Sequence, residues 1–248
     1  MNLPERYEAP SGLLAGRSIL VTGAGQGLGR AVALACARHG ATVALHGRRQ
    51  EKLEATYDAI KSAGGPEPAM IPLDLAAAGS AELEAMAQLL RKELGRLDGI
   101  AHCAAHFVPL GPLENQTLET WMTLLRVNLV APFAITRACL PLLAAAPDAS
   151  VVFTGESHGA HPAAYWGGFA VSKSGLGPLA HIWADERERA PGPRMNVLIP
   201  GPIASPQRSR SHPGEDPRAL RTVDDAARAF LFLLGPESRA LTGKTLSL

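Results

Sequence analysis

The chain has 248 residues, 46% of them hydrophobic, which suits one domain with a large buried core. Its 24 Lys and Arg stand against 23 Asp and Glu, scattered rather than striped, which excludes the electrostatic footprint of a nucleic-acid binder. Cys36, Cys103 and Cys139 are odd in number and form no CxxC pair, so a reducing compartment is expected rather than a disulfide framework.

The first 18 residues mix charges and prolines and lack the apolar run of a signal peptide. Ser18–Val21 (SILV) reads as a buried strand, followed by a helix from Leu28 to His39. Ala41–Leu45 is a second strand, with a charged helix over Glu51–Ala63. Ala69–Leu73 and Ala81–Leu94 make the next strand and helix. Leu97–His102 is strand four, and Leu118–Ala145 a long helix bent near Pro132. Within it, residues 127–146 are very apolar, but Pro132, Arg137 and Pro141 interrupt them too often for a membrane span. Ser150–Thr154 is strand five, Gly168–Ala190 another long helix, and Met195–Ile199 strand six. A helix over Asp224–Leu234 and a short strand at Lys244–Leu246 close the chain. No targeting address is visible, and a soluble cytoplasmic protein is the default expectation.

Near-continuous apolar strands, each followed by a helix, imply a parallel sheet buried on both faces. Right-handed crossovers then give an α/β doubly wound, three-layer sandwich, with residues 1–248 forming a single domain. The one extended irregular stretch, Gly201–Arg221, follows strand six at the carboxyl edge of the sheet and suits a flexible lid.

Strand one runs into TGAGQGLG, Thr22–Gly29. Gly23, Gly27 and Gly29 allow a tight turn, close approach of backbone N–H groups to a phosphate, and close packing of the next helix. The helix start adds unpaired donors and a positive dipole end. Strand two ends in HGRR, His46–Arg49, without the carboxylate that would hold an NAD ribose. The Arg48 and Arg49 guanidiniums suit a 2′-phosphate instead, so NADP(H) is favoured over NAD(H).

The glycine turn so near the N-terminus, the LDL at Leu73–Leu75, Asn128, Ser172–Lys173 and the IPGP at Ile199–Pro202 together resemble the short-chain dehydrogenase/reductase family, over nearly the whole chain. The resemblance implies a Rossmann sheet ordered 3-2-1-4-5-6-7, a nicotinamide dinucleotide along its carboxyl edge, and dimers or tetramers built on the two long helices. It places Gly23, Gly25, Gln26, Gly27, Leu28 and Gly29 at the pyrophosphate, and Asp74 and Leu75 toward the adenine. Ala104, Lys173, Pro200, Gly201 and Ile203 are placed along the rest of the dinucleotide.

In that family a Tyr moves the substrate proton, and a Lys four residues later lowers its pKa and holds the ribose. A Ser orients the substrate oxygen and an Asn anchors a relay water. The i, i+4 spacing sets phenol and ammonium on one helical face. Asn128 and Lys173 match the Asn and the Lys. Phe169 stands at the Tyr position and can neither donate nor accept a proton. Losing a positioned acid costs about 10²–10⁴-fold, or roughly 3–5 kcal/mol. Tyr165 sits about 12 Å of helix rise from Lys173, at or before the helix start, and cannot substitute. The Ser position falls on Glu156, with Ser157 next to it, and Ala105 stands where the family carries Gly.

Three readings follow: a fold that keeps its nucleotide but not its redox chemistry, a catalyst rewired around Glu156, His158, His161 or His106, or a metal site drawn from His102, His106, His158 and Glu156. The last spacing matches no metal motif, and none is assigned. A non-catalytic partner of a homologous active subunit is a further alternative. His102 fits a core histidine, Cys103 a small-residue filler rather than a nucleophile, and Trp166 and Trp183 packing groups. No substrate is named by these residues.

Overall fold

The computed structural model describes Leu3, residues 7–187 and residues 192–248. Seven strands form one sheet in the order β3-β2-β1-β4-β5-β6-β7, with every neighbouring pair parallel. They are β1 Ser18–Thr22, β2 Thr42–Gly47, β3 Ala69–Pro72, β4 Gly99–His102, β5 Ser150–Thr154, β6 Arg194–Ile199 and β7 Lys244–Ser247. The expected α/β doubly wound sandwich and its strand order are therefore observed.

Alternation along each strand divides the core in two. Ile19, Val21, Val43, Leu45, Ala101, Val152 and Leu198 face α1 (Gly27–Arg38) and a C-terminal helix over Val223–Leu234. Leu20, Ala44, Ile100, Val151, Phe153 and Val197 face the other side. There they meet a helix over Ser80–Leu94 and two further segments, Ala131–Ala144 and Leu176–Glu186. Between β2 and β3 lies α2, Gln50–Ser62; the Ser80–Leu94 helix is α3.

The long helix expected over Leu118–Ala145 is divided just before Pro132. It comprises α4 (Leu118–Leu125), a π-helical turn (Arg126–Val130) and α5 (Ala131–Ala144). Pro132 sits in the first turn of α5, and its ring would crowd the carbonyl four residues back, that of Asn128. The distortion is taken up upstream as a π turn around Asn128. Leu118–Ala144 is thus continuously helical, and long and apolar enough by composition to cross a membrane. The prolines do not interrupt it as the sequence reading expected. Its inward face, with Ile135, Cys139, Leu142 and Leu143, is instead packed beneath β4 and β5.

After β5 come a short helix α6 (Ser157–Ala160), then α7 (Gly167–Ser174) and α8 (Leu176–Glu186), divided at Gly175. The single helix expected here is two, and at the division a Cβ on Gly175 would lie 2.8 Å from the Leu129 side chain. Expected residues 188–190 lie outside the described residues. The stretch Gly201–Arg221 contains one short helix and a 3-10 turn, Pro217–Ala219. Ser205 accepts from the Arg208 N–H and caps α9 (Pro206–Ser211), and Ile203 pairs with Arg221 in a parallel bridge. The C-terminal helix, α10, is Val223–Leu234.

At the edge of the sheet opposite the glycine turn, Asp148 is surrounded by Arg17 at 2.7 Å, Arg194 at 3.3 Å and Arg239 at 3.3 Å. Burial opposes its ionisation, but the Arg17 hydrogen bond and the Arg194 charge hold its carboxyl below the usual range. Arg194 also donates to the Leu233, Gly235 and Ser238 carbonyls, closing the C-terminal end of α10. Asp148 is partly buried, and Arg239 is largely exposed. Asp148→Asn, which leaves the Arg194 guanidinium short of a partner, is expected to destabilise the fold by about 1–3 kcal/mol. Urea unfolding with an unchanged m-value should show it, and a loss under 1 kcal/mol would contradict the assignment.

Candidate active site

A cleft of about 750 Å³ opens along the carboxyl ends of the strands. It begins at the turn between β1 and α1. Gly23 has φ +71°, and a Cβ there would lie 2.9 Å from the Ala104 backbone. A Cβ on Gly29 would lie 2.3 Å from the Gly23 carbonyl oxygen. Neither backbone can yield. Gly29→Ala is expected to forbid the turn and remove nucleotide binding together with several kcal/mol of stability; a variant of normal melting temperature and nucleotide response would refute this.

Every residue assigned above to the dinucleotide lines this cleft: the glycine turn with Gln26 and Leu28, Arg48 and Arg49, Asp74 and Leu75, Ala104, Lys173, and Pro200, Gly201 and Ile203. Gln26 gathers the basic side chains. Its Oε1 accepts from Arg49 at 3.1 Å and from Lys52. Lys52 escaped the sequence reading, although it sits on the first turn of α2 directly after HGRR. Asp74 is partly engaged locally, accepting from the Ala76 N–H at 3.0 Å. His46, at the end of β2, also lines the cleft but is buried, and neither ring nitrogen has a hydrogen-bond partner among the described residues.

On the other side lie the reaction-centre candidates. Phe169 and Lys173 are one helical turn apart on α7, both buried and both on the cleft wall. Lys173 Nζ donates to the Thr154 carbonyl at 2.8 Å. Burial pulls its ammonium down to about 8, partly opposed by the Glu156 carboxylate. The Phe169 ring packs edge-on against Phe107 at 5.0 Å between centroids and lies 6.1 Å from Trp166. Glu156, Ser157 and His158 form one polar group. Ser157 Oγ donates to Glu156 Oε1 at 2.9 Å, and His158 Nδ1 lies 3.3 Å from the same oxygen. The His158 ring is stacked on Trp166 at 3.7 Å, so Trp166 is part of the cleft wall as well as a packing group.

Asn128 lies behind the cleft lining, fully buried in the π turn. Its Oδ1 accepts from the His106 N–H at 2.7 Å, and its Nδ2 donates to the His106 carbonyl and to Ser172 Oγ, both at 2.9 Å. The amide therefore clamps the chain after β4 to α7.

The remaining side chains divide plainly. His102 turns inward, bonded to Thr136 at 2.9 Å and stacked on Phe153, so it and the cleft histidines do not converge. No group of three possible metal ligands occurs among the described residues. Cys103 is a filler: burial raises its thiol to about 12, against the nucleophile reading. Trp183 packs between Phe133 and Phe153 in the core. Tyr165 precedes α7 with φ +73° and points to solvent, away from Lys173. His161 is exposed beyond α6, and Ala105 lies exposed on the cleft rim. Arg210, on α9, was missed. The Ser-Pro start of α9 is a helix-cap signal that could have placed it.

A parallel sheet of this order with a glycine turn and a lysine wall defines a nucleotide-binding oxidoreductase architecture. The chain belongs to the short chain dehydrogenase family, whose profile matches residues 17–216. It is 37% identical over 239 residues to the uncharacterized oxidoreductase YciK of Escherichia coli K12, covering 96% of this chain and 94% of that one. A structure from Pseudomonas syringae, provisionally described as a short chain dehydrogenase, is 41% identical. It superposes with a TM-score of 0.94 over 97% of this chain and 98% of that one. Another from Shigella flexneri 2a strain 301, described in the same provisional terms and complexed with NADP, is 36% identical. Its TM-score is 0.92, with 96% and 99% of the two chains covered.

Proposed function

We propose that this protein binds NADP(H) in the cleft and carries out ordinary carbonyl or alcohol redox only at a strongly reduced rate. The NADP-complexed relative and the Gln26, Arg49 and Lys52 cluster support the nucleotide. The single observation that supports the reduced rate is the phenyl ring of Phe169 on the cleft wall, one turn before Lys173, where the family's proton donor stands. When bound, the dinucleotide supplies the hydride. Lys173 would hold the ribose with its charge, and Glu156 and Ser157 would face the substrate.

Reduction of a carbonyl panel by NADPH at ordinary rates, near 10 s⁻¹, would overturn this reading. Thermal-shift titration with NADP⁺, NADPH and NAD⁺ tests the nucleotide, since a tight ligand raises the melting point by mass action. No shift with any of them would sink the proposal.

A second reading is favoured by the Glu156–Ser157–His158 group: a rewired acid/base in which the Glu156 carboxyl moves the proton and His158 orients it. If so, Glu156→Gln lowers the remaining turnover at least 10²-fold and His158→Ala lowers it less. Unchanged turnover in both variants would overturn this second reading and leave the first.

Self-association is part of the proposal. Met122, Val130, Phe133, Val171 and Ile182 are exposed apolar residues on α4, the π turn, α5, α7 and α8, which fits a homodimer or homotetramer built on these helices. A monomer by light scattering at micromolar concentration would contradict it. Three free cysteines fit a cytoplasmic setting.

A further inference from the structure

The cleft has two chemically different halves. Over β1–β3 it carries Arg48, Arg49 and Lys52 beside the glycine turn. Over β4–β6 its floor is aromatic, made of Phe107, Phe169 and Trp166. Arg210 reaches across this second half from α9. Its Nη2 donates to the Phe107 carbonyl at 2.6 Å, and its guanidinium carbon lies 5.2 Å from the Phe107 ring centroid, in cation–π range. The guanidinium is thus anchored within one ring of Phe169, on the substrate side rather than beside the phosphate turn.

Two cations of this half make no ion pair among the described residues. Lys173 is buried with its ammonium on the Thr154 carbonyl. Arg208 is held by both carboxylate oxygens of Glu215, at 2.5 and 2.7 Å. Arg210 makes no ion pair among the described residues and spends one of its five donors on a carbonyl. The rest of its fork is available to a planar acceptor, which a carboxylate matches in two parallel hydrogen bonds.

We infer that the β4–β6 half of the cleft receives a flat aromatic carboxylate, with its ring against Phe107 and Trp166 and its carboxylate on Arg210. This rests on the proposed function in one respect: the dinucleotide fills the other half, and the aromatic acid is the substrate class for that site. The free donors of Arg210 beside the rings of Phe107 and Trp166 favour a monoanion with an aromatic body.

The test compares 2-naphthoate with 2-naphthamide, equal in shape and differing in charge, by thermal-shift titration of the NADP⁺-saturated protein. Naphthoate is expected to act at concentrations at least 10-fold lower than naphthamide. Arg210→Gln should remove that preference while leaving the NADP⁺ response within twofold of wild type, and Arg210→Lys should keep part of it. Equal responses to acid and amide, or a preference that survives Arg210→Gln, overturns the inference. So does a weakened NADP⁺ response in Arg210→Gln, which would assign the arginine to the cofactor. A wild-type protein deaf to NADP⁺ strikes the proposed function instead; the same acid and amide titrations without nucleotide then decide the role of Arg210 separately.

Discussion

Phe169→Tyr raises NADPH-dependent carbonyl reduction about 10²–10⁴-fold, the factor that a positioned proton donor supplies. The ring at residue 169 is already on the cleft wall, and a para hydroxyl extends it without moving the helix. Lys173 lies one turn away, and its ammonium, brought down to about 8 by burial and still charged at neutral pH, favours the phenolate of such a pair. The edge-on contact with Phe107 holds the ring from the side. Initial rates with a carbonyl panel measure the effect, and Phe169→Tyr combined with Lys173→Met should return them to the starting level. A Tyr variant that binds NADP⁺ like wild type yet gains nothing would show that the acid was never the missing part. A gain that is small only because wild-type turnover is already high, and that vanishes with Glu156→Gln, selects the rewired reading.

Acid destabilises the fold steeply between pH 6.5 and pH 4, before most carboxylates titrate. Burial pushes the His46 imidazole down to about 4, against the pull of the Asp74 carboxylate. Burial, with the His46 and Lys173 charges behind it, pushes His102 down to about 3. Both are neutral in the folded protein, whereas in the unfolded chain they take a proton near 6.5. Below 6.5 the unfolded state therefore binds more protons, and stability falls until the folded pKa is reached. At 1.36 kcal/mol per pH unit the full losses are about 3 kcal/mol for His46 and about 5 kcal/mol for His102. The melting temperature should be level from pH 8 to 7 and drop sharply by pH 5. His102→Leu should flatten the drop. It also leaves Thr136 satisfied, because that hydroxyl already donates to the Pro132 carbonyl. A melting temperature level down to pH 5 would contradict both buried neutral histidines.

The fold was legible because its signals are local and repeated. SILV followed at once by TGAGQGLG announces a strand, a phosphate turn and a helix, and the apolar runs recur at crossover spacing. The errors came where a contact far along the chain decided the backbone. Pro132 was visible, yet its effect appears upstream as the π turn around Asn128. Gly175 was visible, yet the close approach of Leu129 that leaves no room for a side chain there comes from a segment more than forty residues away. Asn128 matched a family motif by position, while its hydrogen bonds to His106 and Ser172 could only be found in three dimensions.

The order of residues alone determined the parallel sheet, the glycine turn, the basic end of β2 and the absence of a hydroxyl at residue 169, because each depends on side-chain type and short-range spacing. Tertiary structure alone decided that Glu156, Ser157 and His158 bond as one group against Trp166, that His46 and His102 are buried neutral, and that Arg210 crosses the cleft to Phe107. Burial and charge pairing depend on which distant segments share a low-dielectric space, and no spacing along the chain encodes that.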